Sequence, residues 1–275
     1  METALLKETS HLQETSQTYK ELLRNQARLA TGNRIQSAKD DPSGLIASER
    51  FRAILEEQEA AKQNLNIAQD LVHTTDSALS EVTSLIREGE ALALQASNSF
   101  VDDDVRQAIS FQLDEIRNSI NRIASNTEFG GTAPLGGSLS NQIEGTNAVF
   151  GSDESISLNQ LDDLSSAGLG LSDVSFASID AAIEAQTSFD DALSLVLENR
   201  GRLGGLSQQI ETQINIVDRE ILSNTESLSR YSDTDYIREA SEAVQNQTSL
   251  EASYKVIQKR NEVNGLVGRV LDLSR

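Results

Sequence analysis

The sequence predicts a mainly α-helical protein: long antiparallel helices in a rod-like bundle, coiled-coil helices at both chain ends and a small β-hairpin insert. Apolar residues recur every seventh position over most of the 275 residues, which is the spacing of long helices packed side by side. The chain also has only two prolines, no tryptophan and 4% aromatic residues. Those are too few large side chains for an ordinary globular core of this length.

The first predicted element is a helix over residues 1–31. Leu5, Leu12 and Tyr19 stand seven residues apart and form one apolar seam, and Leu22 and Leu29 repeat the same interval on a neighbouring seam. Such a short helix buries its seam only against another helix.

A break follows the first helix, because Gly32, Pro42 and Gly44 interrupt the pattern. Proline removes a backbone donor and disfavours helix at the residue before it. Asp40 or Asp41 can then cap the next helix.

The longest predicted helix runs from about Leu45 to Asn98, and a third helix follows the acidic turn at 102–104. Acidic residues suit the positive end of a helix. The long helix carries apolar or small residues on two adjacent seams, which are Leu65, Val72, Leu79, Ile86 and Ala93, and Ala61, Ala68, Thr75 and Val82. The third helix carries three-four spacing at Val105, Ile109, Gln112, Ile116, Ile120 and Ile123.

The stretch 127–178 differs in kind, with clustered glycines and short alternating apolar pieces that predict one or two β-hairpins and loops. Helix returns near Ile179 and continues to about Tyr231. A terminal helix then extends to Arg275. Its seam residues are Val256, Val263 and Val270, with Leu266 and Leu273 beside them.

Charge and composition exclude several functions. The net charge is −20, from 23 basic and 43 acidic residues, which disfavours nucleic acid and anionic membranes as partners. Residues 1–31 sum to zero and residues 236–275 to +1, so the acidity lies in the middle. The N-terminus has neither the basic start nor the apolar core of a secretory signal peptide. On these criteria alone the protein is expected in the cytosol.

We find no catalytic, cofactor or metal motif in the sequence. There is no cysteine, and neither His11 nor His73 has a second histidine at metal-ligand spacing. The acidic pair at 40–41 and the three aspartates at 102–104 precede predicted helices, where capping is their expected role. The glycines of GRLGG, at 201–205, lie inside a heptad pattern and predict either close helix approach or a kink. A non-enzyme without cofactor is therefore expected.

The segment LATGNRIQSAKDDPSG, from Leu29 to Gly44, resembles the signature of the bacterial flagellin family at the junction between its N-terminal helix and its rod domain. The matching residues are Thr31, Gly32, Arg34, Ile35, Ser37, Ala38, Lys39, Asp40, Asp41 and Gly44. Further segments follow in the family's order, namely LALQASN, NRIASNTEFGG, ENRGRLGGLSQQIE, YSDTDYIREASE and the closing LVGRVLDLSR.

The resemblance implies a subunit that polymerises into the bacterial flagellar filament for swimming. It implies an inner domain formed by 1–31 and 236–275, and a rod domain formed by 32–178, with its β-rich part at 127–178, and by 179–235. The seam residues of the first and the terminal helix then become assembly seams. The joint between the two domains is formed by Gly32, Arg34, Asp40, Asp41, Pro42 and Gly44.

The implied partners are other copies of the chain, the hook-associated junction and cap proteins and a flagellar export chaperone. The implied location is outside the cell, reached through the flagellar type III export apparatus without a cleaved signal peptide. Each terminal helix alone is expected to be largely disordered and to become ordered on assembly.

Two departures from the family pattern stand out. The usual extended start is not evident, and Glu90 stands where flagellins seen by the vertebrate innate-immune receptor have arginine. Three other hypotheses remain open. SLEASYKVIQ, at 249–258, is similar to the hook–filament junction protein of the same superfamily. The others are a monomeric acidic helical adaptor and an enzyme.

Overall fold

The computed structural model describes residues 2–130, 133–135, 147–149, 155–157 and 161–272. Its elements in chain order are α1 (Glu2–Thr31), α2 (Pro42–Ala96), α3 (Asp103–Asn126), β1 (Asn147–Val149), β2 (Ser155–Ser157), α4 (Ile179–Ser232) and α5 (Tyr236–Asp272). The mainly helical prediction is therefore confirmed. None of the described helices is both long and apolar enough to cross a membrane.

The chain divides into two compact units. The first comprises Met1–Leu55 and Ser223–Arg275, and the second comprises Glu56–Leu222. The predicted domain limits at 31 and 236 coincide with the end of α1 and the start of α5, whereas the compact units divide inside α2 and α4. The division into inner and rod domains stays a prediction.

The core of the second unit is a set of helix seams with three-four spacing. On the part of α2 in this unit, the buried side chains are those of the two predicted seams together with Thr83 and Ala96. The burial of the seams confirms that part of the sequence analysis. The buried seam of α4 consists of Ala182, Ala185, Phe189, Ala192, Val196, Asn199, Leu203, Ile210 and Val217. On α3 the buried positions are Arg106, Ile109, Leu113, Ile116, Ile120 and Ala124. Val105 and Gln112 of the predicted α3 seam are exposed.

The glycines at 201, 204 and 205 do not bring two helices together within the chain. A Cβ atom added at Gly201, Gly204 or Gly205 would meet no atom within 4 Å. The close approach expected of them is therefore absent. It occurs instead at Gly89 of α2, where the ring of Phe189 occupies the space that a Cβ would take.

Strands β1 and β2 pair antiparallel, with Ala148 opposite Ile156. They lie within the predicted β-rich segment, and most of the residues around them lie outside the described part of the chain. Residues 161–178 form mainly turns and coil rather than strands. The Nδ2 of buried Asn199 donates to Asp162 Oδ2 at 3.1 Å, and Arg117 of α3 donates to the carbonyls of Leu171 and Val174. These bonds tie the 161–178 segment to α3 and α4.

Candidate assembly surface and joint

Helices α1 and α5 form an antiparallel pair inside the first unit. The direction follows from two contacts, because Arg28 meets Glu239 while the earlier Asn25 reaches the later Asn246. The sequence indicated only that each terminal helix buries its seam against another helix. In the structure that other helix is the opposite end of the same chain.

The pair is held near the joint by a buried polar cluster, defined here as Asn25, Arg28 and Glu239. The Nδ2 of Asn25 donates to Glu239 Oε2 at 2.6 Å, and the Nη1 of Arg28 donates to Glu239 Oε1 at 2.8 Å. Asn25 is 5% exposed and Glu239 is 7% exposed. The Nε of Arg28 is buried, and no side chain or backbone group among the described residues accepts a hydrogen bond from it. One carboxylate thus joins two side chains of α1 in a site nearly closed to water.

The rest of the seam is mixed in polarity. On α1, Thr15, Thr18 and Leu22 lie further from the joint than the cluster and Leu29 lies closer to it, and all four are half-buried. On α5, Leu250 is buried and Ser253 and Ile257 are half-buried. Leu22 and Leu29, which the sequence assigned to an assembly seam, therefore lie toward the paired side of α1.

Several apolar side chains of the pair point to solvent. Leu12 and Tyr19 are 55% and 50% exposed, and Val256, Val263 and Leu266 are 53%, 54% and 59% exposed. Leu23 and Tyr254 are exposed as well. We call these seven residues the outward face. Of the other predicted seam residues, the side chains of Leu5 and Val270 and the whole of Leu273 lie outside what the structure describes.

Part of the outward face lies beside basic residues on α5. Val256 and Val263 stand next to Lys255, Lys259 and Arg260 on the helix surface. Lys259 also pairs with Glu262 at 2.7 Å. This patch of apolar and basic side chains stands out on a chain whose net charge is −20.

The joint begins at Gly32, where the backbone enters the left-handed region with φ +75°. A Cβ at this position would stand 2.7 Å from the Tyr236 hydroxyl oxygen. Glycine is the residue that tolerates both the dihedral angle and the close approach. The carbonyl of Gly32 accepts from the Thr234 amide at 2.9 Å, so the turn after α1 is bonded to the turn before α5.

A second set of bonds reinforces this connection. The Arg34 amide donates to the Ser232 carbonyl at 2.7 Å, and the Arg34 side chain donates to the Tyr231 carbonyl at 2.9 Å. Asn33 and Asp233 form an antiparallel bridge. The segment after α1 and the segment before α5 are thus joined to each other by backbone hydrogen bonds.

Asp40 and Asp41 have separate tasks in the joint. Asp41 caps α2, because its Oδ1 accepts from the Gly44 amide at 2.8 Å and Pro42 is the first helical residue. Asp40 holds the preceding turn, accepting from the Ser37 amide and hydroxyl at 3.0 and 3.1 Å. Partial burial tends to raise the pKa of Asp40, but these bonds, the Gln36 amide and the charge of Arg24 together hold that pKa below its usual value.

The other acidic run also caps a helix. Asp102 Oδ1 accepts from the Val105 amide at 2.8 Å and is the N-cap of α3. Among the described residues, no three His, Asp or Glu side chains stand close enough to hold a metal ion.

Sequence reasoning missed the polar cluster. The signal available was that position 25 falls three residues after Leu22 and four before Leu29, so an asparagine occupies a seam position. Nothing in the sequence indicated that Glu239, more than two hundred residues away, was its partner.

The geometry defines a class of protein: a helical subunit whose two chain ends pair through polar groups and display apolar groups outward. The bacterial flagellin N-terminal helical region matches residues 5–140, and the C-terminal helical region matches residues 186–270. The two regions cover most of the chain in the family's order. The chain belongs to the bacterial flagellin family.

Several curated relatives align with nearly the whole chain. The flagellin of Listeria innocua is 24% identical over 90% of this chain and 91% of its own length. The flagellar filament core protein flaB2 of Brachyspira hyodysenteriae is 27% identical over 89% of this chain and 90% of its own length. The flagellin of Bacillus subtilis is 27% identical over 87% and 89%.

Among solved structures, the crystal structure of Bacillus cereus flagellin aligns with a TM-score of 0.47 and 18% identity. It covers 56% of this chain and 88% of that one.

Proposed function

We propose that this chain is a structural subunit of the bacterial flagellar filament. Its relatives over the full length are named flagellins and filament core proteins. None of these names favours the hook–filament junction alternative. The role is structural rather than catalytic, and the place of action is the filament outside the cell.

The observation that carries the assembly mechanism is the inverted polarity of the α1–α5 pair. Its inner seam near the joint is polar, at Asn25 and Glu239, whereas Leu12, Tyr19 and Val263 lie in water. Fully burying a side chain of this size stabilises by about 1.5–3 kcal/mol. We assign the outward face, together with Leu5, Val270 and Leu273, to contacts between copies. Burial against neighbouring copies then drives polymerisation.

We propose that the joint connects the assembly contacts of the chain ends to the long helices. Its support is the set of backbone bonds that connect Gly32 to Thr234 and Arg34 to Ser232. These bonds hold the end of α1 next to the start of α5. The chain therefore presents α1 and α5 to the filament as one element. In this account 1–31 and 236–275 form the inner domain, and the remainder forms the rod domain.

Further partners follow from the family alone. We propose that the filament made by this chain meets hook-associated junction and cap proteins. We also propose that an export chaperone holds the unassembled chain and that it leaves the cell through the flagellar type III apparatus.

The outward face is tested by a fourfold variant, Leu12→Ser, Tyr19→Ser, Val256→Ser and Val263→Ser. Because these side chains lie in solvent, the monomer should keep its helix content by circular dichroism, while electron microscopy should show few or no filaments. The matched control exchanges exposed polar neighbours, Gln13→Ser, Lys20→Ser and Gln258→Ser, and should polymerise normally. Long filaments formed by the fourfold variant would show that the outward face is not needed for assembly. If the unaltered protein forms only short rings, the junction alternative replaces the filament function.

A further inference from the structure

The last part of α5 receives little support from the rest of the chain. Between Asn261 and Leu266 every residue whose burial the structure describes is exposed, Val263 among them. Gly265 is a weak helix former at the same turn, and a Cβ atom there would meet nothing within 4 Å. A helical turn without buried contacts opens easily, because helix stability in proteins comes mostly from packing. In the unassembled chain this turn is therefore expected to be unwound for much of the time.

This turn contains the only Asn–Gly pair of the sequence, Asn264–Gly265. Asparagine before glycine is prone to deamidation, because glycine has no Cβ atom to shield its backbone nitrogen. In an unwound backbone the Gly265 nitrogen attacks the side-chain carbonyl carbon of Asn264. The new N–C bond closes a five-membered succinimide ring, and the side-chain amide leaves as ammonia with the proton of the Gly265 amide. Water then opens the ring at either of its two carbonyls, which gives aspartate or isoaspartate.

A helical backbone blocks this reaction. Both residues lie within α5, where the Gly265 amide belongs to the ladder of hydrogen bonds from each residue to the fourth residue before it. That bond directs the amide along the helix axis, so attack on Asn264 requires the turn to open first. The rate of deamidation therefore follows the fraction of time for which this turn is unwound.

We propose that Asn264 is a deamidation site that is reactive while the chain is unassembled and protected once Val263 and Leu266 are buried between copies. The inference rests on the proposed filament function, which supplies that burial. Isoaspartate adds a methylene to the main chain and interrupts the hydrogen-bond ladder of α5. The outward face continues through this turn, so a reacted chain loses part of its assembly contact. Deamidation thus removes from polymerisation the subunits that stay unassembled longest.

The test follows position 264 in the full-length protein by peptide mass spectrometry, after incubation in heavy-oxygen water as dilute monomer or as filament. The label enters only where a ring has opened during the incubation. We expect labelling at Asn264 to be at least about tenfold faster in the monomer, which corresponds to about 1.4 kcal/mol of added protection in the filament. Asn246, which precedes Gln247 in the same helix, is the internal control and should take up far less label. Equal rates at Asn264 in monomer and filament would overturn the proposal.

Two variants separate the chemistry from its consequence. Gly265→Ala keeps Asn264 but adds a Cβ atom beside the attacking nitrogen and favours helix, so its monomer should deamidate several-fold more slowly. Asn264→Gln cannot close the five-membered ring. After long storage as monomers, both variants should add to fresh filament ends more completely than the stored unaltered protein does. In the unaltered protein, isoaspartate should be concentrated in the chains left in solution. Isoaspartate at equal fractions in filament and solution would also overturn the proposal.

Failure of the proposed function gives a different result. If the chain forms no filaments, trifluoroethanol takes the place of assembly as the condition that favours helix. Deamidation at Asn264 should then slow as the helix signal in circular dichroism rises, measured relative to a short peptide of residues 262–267 in the same solvent. Slower reaction in the full chain supports Asn264 as a site that helix protects, although the filament function has failed. An unchanged ratio of the two rates would overturn the proposal.

Discussion

The ring of Phe189 on α4 rests on the bare backbone of α2 at Gly89, in the space that any side chain at that position would need. Phe189 is fully buried, so its ring has no free volume into which it can turn. The packing of α4 against α2 at this point therefore requires a residue without a side chain at position 89 opposite Phe189.

Gly89→Ala is expected to destabilise the second unit by about 1–3 kcal/mol, because an overpacked core side chain must leave its rotamer or push the helices apart. Urea unfolding of the monomer measures the change. The control is Gly204→Ala on α4, where an added Cβ meets nothing within 4 Å. There the gain in helix propensity should raise stability by up to about 1 kcal/mol. Equal effects at the two sites would contradict this account of Gly89.

Gly32→Ala should weaken the joint for two separable reasons. The left-handed backbone, φ +75°, costs a residue with a Cβ about 1–2 kcal/mol, and the new Cβ would also crowd the Tyr236 hydroxyl. Tyr236→Phe removes that oxygen, so the double variant should recover part of the loss and keep the dihedral strain. Thermal unfolding followed by helix signal gives both values. Full recovery in the double variant would show that the dihedral angle contributes nothing.

Acid should weaken the joint through Asp40. Its hydrogen bonds hold the pKa of Asp40 in the folded chain below the ordinary value of an aspartate, so the unfolded chain binds this proton first as pH falls. The stabilisation from Asp40 is therefore present above about pH 4 and is lost as pH falls through the lower folded-state pKa. Stability measured between pH 2 and 6 should depend less steeply on pH in Asp40→Asn. Ser37→Ala removes the hydroxyl donor to Asp40. The pH range over which the stabilisation from Asp40 is lost should therefore narrow. An unchanged slope in both variants would exclude Asp40 as the titrating group.

Asn199→Ala should release the 161–178 segment. Asn199 is fully buried, accepts from the Asp162 amide at 3.2 Å and donates to the Leu195 carbonyl at 2.9 Å. Removing its amide breaks the hydrogen bonds to the Asp162 amide and carboxylate, each of which contributes about 0.5–1.5 kcal/mol. Hydrogen exchange at 161–171 should accelerate. Asn118→Ala, at an exposed position of α3, is the control and should change neither exchange nor stability.

The heptad positions of α2 could be predicted because a buried helix seam requires apolar side chains at fixed intervals, as at Leu65, Val72 and Leu79. The joint was also predictable, since glycine and proline restrict or release the backbone locally at Gly32 and Pro42. The register of α3 was only partly predictable, because Gln112 has the spacing of a seam residue yet faces water, and Leu113 is the buried neighbour.

The candidate assembly surface was likewise predictable only in part. Periodicity identified Leu12, Tyr19 and Val263 as members of repeating stripes, but a repeat does not say whether its stripe meets the chain's own partner or solvent. Likewise Asn199 reads as an ordinary polar residue until the returning segment is seen to lie against it.

The sequence by itself determined where helices begin, end and repeat, because capping, glycine dihedrals and side-chain spacing act over a few residues. Only the tertiary structure decided that Glu239 closes on Asn25 and Arg28, and that Leu12, Tyr19 and Val263 face solvent. Those outcomes depend on the rotation of one helix about its axis against another that is distant in the chain, and local sequence patterns do not encode that rotation.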